Sequence, residues 1–463
     1  MSGLRVKAIA GNGVLGSGFR ESSLLRGMAL GPDFIGCDAG STDPGPYYLG
    51  AGKTAFPKVA VKRDLSLLMK AARSANIPLI IGSAGTAGGR PHVESLKEIT
   101  LEIAFENEMS FKLALIDAEQ DKSTLTELWN RGKITPISYP GLDYEAIQAS
   151  ERIVGMMGAD PFVYALDQKA DIVIAGRSSD CAIYAALPIM RGIDPAVAWH
   201  AAKILECGAA AAETRSSPDC LFAELEKTAF EVEPLSGEMI CTPQSVAAHS
   251  LYENANPFEL IEPDGVLNIA KSHYQAVSSR RVRVTNSSFK PKTVKNAKLE
   301  GAVFLGYQSV IIGGIRDPMI IGQIDDWAGR LKKRLKSRVH DVYGKDSPTY
   351  HFNIAIYGKD AVMGDLEPVK KITSHEIGLV LEITSDTQEI SNTIISLARH
   401  QALHLPIPEW SGLITGVACR HSPPFLERGK VYKFAGDSLM ETSNPLDFFP
   451  CRFVTIMNGT EIN

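Results

Sequence analysis

Short runs of aliphatic and β-branched residues that end in glycine-rich turns, each followed by a stretch of helical period, constrain this chain more than any other feature. Such runs fall at 5–10, 33–37, 79–82, 111–117, 134–138 and 171–175, with helical patterns at 63–74, 93–107, 144–157 and 195–209. Strands spaced by helices point to βαβ units, because parallel neighbours need a crossover that returns the chain to the same end of the sheet. The expectation is an α/β fold whose mostly parallel, doubly wound sheet takes ligands at the carboxyl ends of its strands. At 463 residues the chain is too long for one ordinary core. The polar, turn-rich stretch 285–292 (TNSSFKPK) marks a boundary. It separates residues 1–284, an α/β ligand-binding domain with glycine-rich loops, from residues 299–463, a smaller α+β domain. Within the latter, strands at 302–312, 350–357, 377–383, 413–418 and 431–434 and helices at 320–339 and 388–404 follow the order βαββαβ, as in ferredoxin-like domains.

Charge narrows the function. A formal net charge of −5 argues against a general nucleic-acid binder, which carries a basic stripe to neutralise phosphates. The densest basic run, 330–338 (RLKKRLKSR), lies on an expected helix and reads as a solvated face with room for a partner contact. No charge-free apolar stretch reaches the roughly 18 residues a spanning helix needs, so no membrane association is expected. The N-terminal residues lack the apolar core of a secretory signal. Seven cysteines, at 37, 181, 207, 220, 241, 419 and 451, are scattered without a CxxC pair. They read as reduced thiols, and the expected compartment is the cytoplasm.

The loops after the strands hold the candidate chemistry. After the first strand comes Gly11-Asn12-Gly13-Val14-Leu15-Gly16-Ser17-Gly18. Glycines let the backbone approach a ligand closely, so amides at Gly11, Asn12 and Gly13 can surround an anion. Gly11, Gly13 and Gly16 also satisfy the dinucleotide pattern G-x-G-x-x-G, with Asp38 about 20 residues on. Arg20, however, stands where helix–strand packing in that pattern wants a small residue. A dinucleotide site, a different anion site and a structural turn all remain open for this loop.

The second strand ends at Asp38 among glycines, which suits a ligand-facing carboxylate or an Asx-turn. The third runs into Gly82-Ser83-Ala84-Gly85-Thr86, where Ser83, Gly85 and Thr86 offer donors beside a helix N-terminus. A fourth strand end reads Gly176-Arg177-Ser178-Ser179-Asp180. Arg177 suits bidentate recognition of a carboxylate or phosphate. Ser178 and Ser179 can orient a hydroxyl, and Asp180 is either a functional carboxylate or a helix cap. At Glu206-Cys207, Glu206 is a general-base candidate and Cys207 a nucleophile candidate without an assignable histidine. Both also fit a buried helix terminus. His400 and His404 have metal-ligand spacing but no third ligand, so no metal site is assigned, and no cofactor is identified.

In this order the motifs resemble the acyclic terpene utilisation (AtuA-like) family. The resemblance rests on Gly11-Asn12-Gly13, Asp38, Gly82-Ser83-Ala84-Gly85, 171–180 (DIVIAGRSSD) and Leu205-Glu206-Cys207-Gly208. It continues through 241–245 (CTPQS), 260–268 (LIEPDGVLN), 432–434 (YKF) and 444–449 (NPLDFF). It covers about residues 4–280 and, more weakly, the rest. Where many members carry a Gly-Asp-Tyr-Leu-type segment, this chain has Cys37-Asp38-Ala39-Gly40-Ser41. The resemblance implies a catabolic role among terpenoids, branched acids and hydroxy or dicarboxylic acids, close to CoA-dependent enzymes.

The leading expectation is a lyase or hydratase acting on a small hydroxy acid, a dicarboxylate or an acyl-CoA. Its ligand is a small anionic metabolite: a carboxylate, phosphate or CoA thioester. Catalytic candidates are Asp38, Arg177, Asp180, Glu206 and Cys207. The alternatives are a non-catalytic or partner-dependent subunit completed by a companion chain, and, on the glycine pattern alone, an NAD-linked oxidoreductase. A homo-oligomer is the general expectation for a metabolic α/β protein.

Overall fold

The computed structural model describes residues 4–137, 140–213, 217–409 and 415–462. The chain divides into two compact units, Met1–Val303 with Phe434–Asn463, and Phe304–Lys433.

The first unit is built on an eleven-stranded sheet. At its centre are five parallel strands, β1 (Arg5–Ala10), β2 (Phe34–Asp38), β3 (Leu79–Gly82), β4 (Phe111–Ile116) and β5 (Ile172–Ala175), in the order β1-β2-β3-β5-β4. Because side chains alternate along a strand, each strand feeds two cores. Ala8, Phe34, Ile80 and Val173 face Tyr184 and Trp199 on the helices Ala182–Met190 and Pro195–Leu205. Ile9, Ile35, Ile81 and Ile174 face Leu65, Leu68, Ile99 and Ile103 on the helices Lys58–Ala75 and Arg90–Glu106. Helices therefore cover both faces, which explains why β2, β3 and β5 are buried at every position.

The sheet is less parallel than the sequence suggests. Beyond β1 lie Leu221–Glu226, Ala229–Pro234, Val282–Thr285 and His273–Ala276, and beyond β4 lie Cys451–Met457 and Thr460–Ile462, all antiparallel. Tight connections such as the two residues between Glu226 and Ala229 permit only antiparallel pairing. The expected helix at 144–157 also divides. It is helical only over Tyr144–Ala149, and the β-branched residues that follow join the strand Ser150–Met156. The expected strand at 134–138 is formed over Ile134–Pro136, and Ser138 lies outside the described residues.

The expected boundaries of 284 and 299 shift for a related reason. The strand Lys295–Ile315 pairs through its first residues with Ser150–Met156 of the first unit. The final segment returns to the first unit too, where Cys451–Met457 covers the edge of β4. An uncovered edge there would expose a row of unpaired backbone groups.

In the second unit the later part of Lys295–Ile315 pairs with Ile377–Ser385, which pairs with Tyr350–Tyr357. Ala418–Cys419 and Phe425–Phe434 also pair with Lys295–Ile315. Of the expected strand at 413–418, Leu413 and Ile414 lie outside the described residues. The helices Ile324–Tyr343 and Gln388–Leu403 bring Trp327, Leu331, Leu335 and Ile394 onto Leu379 and Leu381. Every basic residue of 332–338 is exposed while Leu331, Leu335 and Val339 are buried, as expected of a solvated helix face. No helix among the described residues is long and apolar enough to cross a membrane.

The tail's place in the core can be measured. Ile456 is fully buried whereas Ile462 is 46% exposed. Ile456→Ala is expected to cost about 2–5 kcal/mol in urea unfolding, and Ile462→Ala to stay within about 0.5 kcal/mol.

Candidate functional site

In the first glycine loop the amides of Gly11, Gly13, Gly16 and Gly18 are already engaged. Gly11 N donates to Gly36 O (2.8 Å) and Gly13 N to Asn12 Oδ1 (2.8 Å). Asn12 Nδ2 donates to Ser17 Oγ (2.7 Å) and Gly18 O (2.5 Å). Gly16 and Gly18, with φ of +99° and +86°, aim their amides at one oxygen of Asp64, at 3.0 and 2.9 Å. Asp64 is 1% exposed, and Arg63 holds its other oxygen at 2.7 Å. The anion that such a nest of amides favours is thus the chain's own carboxylate. The expectation that Gly11, Asn12 and Gly13 bind a ligand, and with it the dinucleotide pattern, is corrected accordingly. The loop instead packs on Cys207, whose carbonyl oxygen would lie 3.0 Å from a Cβ at Gly13.

The neighbouring strand ends converge. Asp38, 3% exposed at the end of β2, accepts from Gly40 N through Oδ2 (2.9 Å). Its Oδ1 has no hydrogen-bond partner among the described residues, and neither does Ser178 Oγ. A Cβ at Gly82 would come within 3.1 Å of the first and 2.7 Å of the second, so both atoms sit over that glycine. Burial, and then the charge of Asp180, push Asp38 well above the carboxylate range, which favours its protonated form.

Arg177 is not the open anion clamp expected of it. It is 6% exposed, with Nε on Glu300 (2.7 Å) and Nη1 on the Ser178 carbonyl (2.7 Å), Asp180 (3.1 Å) and Ser83 Oγ (3.2 Å). Lys298 holds the other oxygen of Glu300 at 3.1 Å. Asp180 does not cap the helix Ala182–Met190, which starts at Cys181 without a side-chain cap. Desolvation raises Asp180 against the pull of Arg177, but 39% of its side chain meets solvent. That exposure, with the adjacent guanidinium, leaves Asp180 the more acidic of the two aspartates.

The third loop is strained in place. Ser83, Gly85 and Thr86 have φ of +44°, +59° and +86°, costly for a β-branched residue such as Thr86. Ser83 Oγ joins the Arg177 network, and Thr86 Oγ1 accepts from Ala55 N (3.0 Å). Gly85 is a glycine because a Cβ there would meet His92 at 2.8 Å.

A second group adjoins Asp38. Glu206 is 7% exposed, with Lys203 Nζ on Oε1 (2.5 Å) and Cys181 Sγ on Oε2 (2.8 Å). Burial lifts it to about 7 against the attraction of Lys203. Glu262, 4% exposed, is lifted by burial to about 8, and its Oε2 has no hydrogen-bond partner among the described residues. Burial keeps the Tyr184 hydroxyl neutral, and this group, equally without a partner among the described residues, lies near Asp38, Cys207 and Glu206. Cys207 is pushed up by burial and by Glu206, so as a lone group it is a thiol and a poor nucleophile. Its missing histidine is supplied from the helix Pro243–Ser250: ligand atoms of Glu206, Cys207 and His249 lie within 4.8 Å of one another.

A family model described as acyclic terpene utilisation family protein AtuA matches residues 53–406, more than half of the chain. The chain belongs to the AtuA family. No curated protein and no solved structure matches it. The AtuA-matched span holds Ser83, Arg177, Asp180, Glu206, His249, Glu262 and Glu300, whereas Asp38 and the first glycine loop precede it.

The structure thus gathers Asp38, Ser83, Arg177, Ser178, Asp180, Glu206 and Cys207, with Ser179 bonded to Met157 O (2.9 Å) beneath them. It turns Gly11, Asn12, Gly13 and Thr86 to internal bonds. Tyr184, Lys203, His249, Glu262 and Glu300 escaped sequence reasoning. One signal was available: Tyr184 is the lone polar group in the otherwise apolar helix AIYAALPIM, and Lys203 shares the mostly apolar helix PAVAWHAAKIL only with His200.

If Asp64 fills the glycine loop, removing it leaves two partly buried amides unsatisfied. Asp64→Ala is expected to destabilise the chain by about 2–4 kcal/mol in chemical unfolding, and inorganic phosphate is expected to restore part of that loss.

Proposed function

We propose that this AtuA-family chain is an acid–base enzyme of the lyase or hydratase type, acting on a small hydroxy acid, a dicarboxylate or an acyl-CoA thioester. The observation that carries the reading is a pair of carboxyls in unequal environments, one buried and one partly exposed. Asp38 is neutral with a free oxygen, and Asp180 is held beside Arg177 with part of its side chain open to solvent. Two carboxyls with separated proton affinities are what acid–base elimination requires. In the dehydration direction, the Asp180 carboxylate takes the proton α to the substrate carbonyl. The electron pair forms the double bond as the β-hydroxyl leaves, and Asp38 gives that hydroxyl its proton, releasing water. The hydroxyls of Ser178 and Tyr184 donate to the enolate-like oxygen that develops between these steps.

The location agrees with the general rule that open α/β sheets take ligands at the carboxyl ends of their strands. We extend the reading to the architecture: a doubly wound centre in the first unit, and a ferredoxin-like second unit in which the first strand lies between the third and the last. The oxidoreductase alternative loses its support, since the amides of Gly11 and Gly13 are bonded within the loop and its neighbouring strand and those of Gly16 and Gly18 to Asp64.

Two measurements test the reading. In a panel of hydroxy acids, dicarboxylates and acyl-CoA thioesters, Asp38→Asn and Asp180→Asn are each expected to lower turnover by about 100-fold or more. Wild-type turnover in both variants contradicts the assignment. Stability supplies a pH test with a defined sign. Folded Asp38 keeps its proton to higher pH than the unfolded chain does, so its contribution becomes increasingly unfavourable as pH rises from about 4 through its folded value. Asp38→Asn is therefore expected to unfold at a higher midpoint than wild type at pH 7–8 and to match it near pH 4.

A further inference from the structure

We infer that Glu206, Cys207 and His249 form a binding site for a soft divalent cation, with Zn2+ as the best match to the donor set. Carboxylate, sulfur and imidazole donors lie within 4.8 Å of one another. Slight closure brings them to the separations of tetrahedral zinc, and three protein ligands leave a fourth position open. This inference extends the acid–base reading without depending on it, because no titration of Asp38 or Asp180 enters it.

The ligand backbone is held in place. Glu206 and Cys207 end the helix Pro195–Leu205, and Gly208 turns the chain with a φ of +57°. A Cβ on Gly208 would strike Asp219 O at 2.8 Å and Gly13 N at 2.9 Å, so the first glycine loop seats the residue after Cys207. The structural role of that loop thereby acquires a purpose. It positions the sulfur donor, while Asp64 holds the loop. His249 arrives on a separate helix whose first turn is fixed by the Thr242–Ser245 capping box.

Glu206 can bind through Oε2 by displacing one hydrogen bond from the Cys181 thiol, while Oε1 stays on Lys203. Lys203, which also lies 5.6 Å from the Tyr252 ring, then orients the carboxylate from behind. Two further groups point to a ligand here independently of the three donors. The Tyr184 hydroxyl and Glu262 Oε2 are buried, lack a partner among the described residues and lie in the field of Glu206. Both suit hydrogen bonds to a water or substrate oxygen on the open position.

The test uses the full untagged chain, stripped with chelator and titrated with Zn2+ and separately with Co2+. One equivalent of Zn2+ per chain is expected, and Co2+ is expected to show a thiolate-to-metal absorption band. Cys207→Ser should abolish that band, and Cys207→Ser and His249→Ala should each weaken Zn2+ binding by about 100-fold or more. Glu262→Gln, outside the ligand set, should weaken it about tenfold. Cys419→Ser, in the other unit, serves as the control and should bind as wild type does. Unfolding midpoints of the metal-free variants separate lost ligands from lost folding. Failure of the wild-type chain to bind Zn2+, or binding that survives Cys207→Ser and His249→Ala alike, overturns the inference. Because these readouts need no substrate, they stand whether or not the lyase reading does.

Discussion

Arg177 carries a permanent charge into a layer where it is 6% exposed, and several separate groups keep it there: Glu300, Asp180, Ser83 and the Ser178 carbonyl. A buried guanidinium left unpaired is strongly destabilising, so these contacts are obligatory once the charge is inside. Their geometry reaches well beyond the pair. Arg177 N donates to Gly88 O, and a Cβ at Gly88 would come within 2.1 Å of that nitrogen, so the third glycine loop must follow the backbone of residue 177 closely. Glu300 brings in the strand Lys295–Ile315, and Ser83 brings in the end of β3. The carboxyl ends of the central strands are thereby fixed around one cation.

Asp38 and Asp180 owe their difference to this arrangement. Both are aspartates at strand ends, but only Asp180 touches the guanidinium. Asp38 has a single backbone amide, full burial and a negative neighbour, and each of the latter two favours the proton. Uneven sharing of one positive charge thus gives two chemically identical groups different proton affinities.

Part of this was legible from the residues. Asp38, Ser83, Arg177, Ser178 and Asp180 follow the strand-end rule, and the structure brings them together as βαβ logic requires. What the sequence could not convey is which partner each polar group would find. Arg177 reads as a clamp until Glu300, from a distant strand, occupies it. The glycine loop reads as an anion site until Asp64, inside an ordinary amphipathic helix, fills it. His249 lies far along the chain from Cys207, and no periodicity links them. The departures of the fold from the local pattern have the same origin. Residues 150–156 continue a helical pattern locally but form a strand paired with Lys295–Ile315, and Cys451–Met457 pairs with the distant β4 as well as with the adjacent Thr460–Ile462. Local pattern specifies which side chains are apolar; long-range pairing decides where they go.

The proposed chemistry requires a protonated, buried Asp38 beside an ionised Asp180. Infrared spectroscopy on the chain with isotope-labelled aspartate tests it most directly, since the label separates aspartic from glutamic carboxyls. At neutral pH the account predicts a label-shifted band of one protonated carboxyl, absent in Asp38→Asn and retained in Asp180→Asn. A spectrum with only ionised aspartates, or a protonated band indifferent to Asp38→Asn, would contradict it.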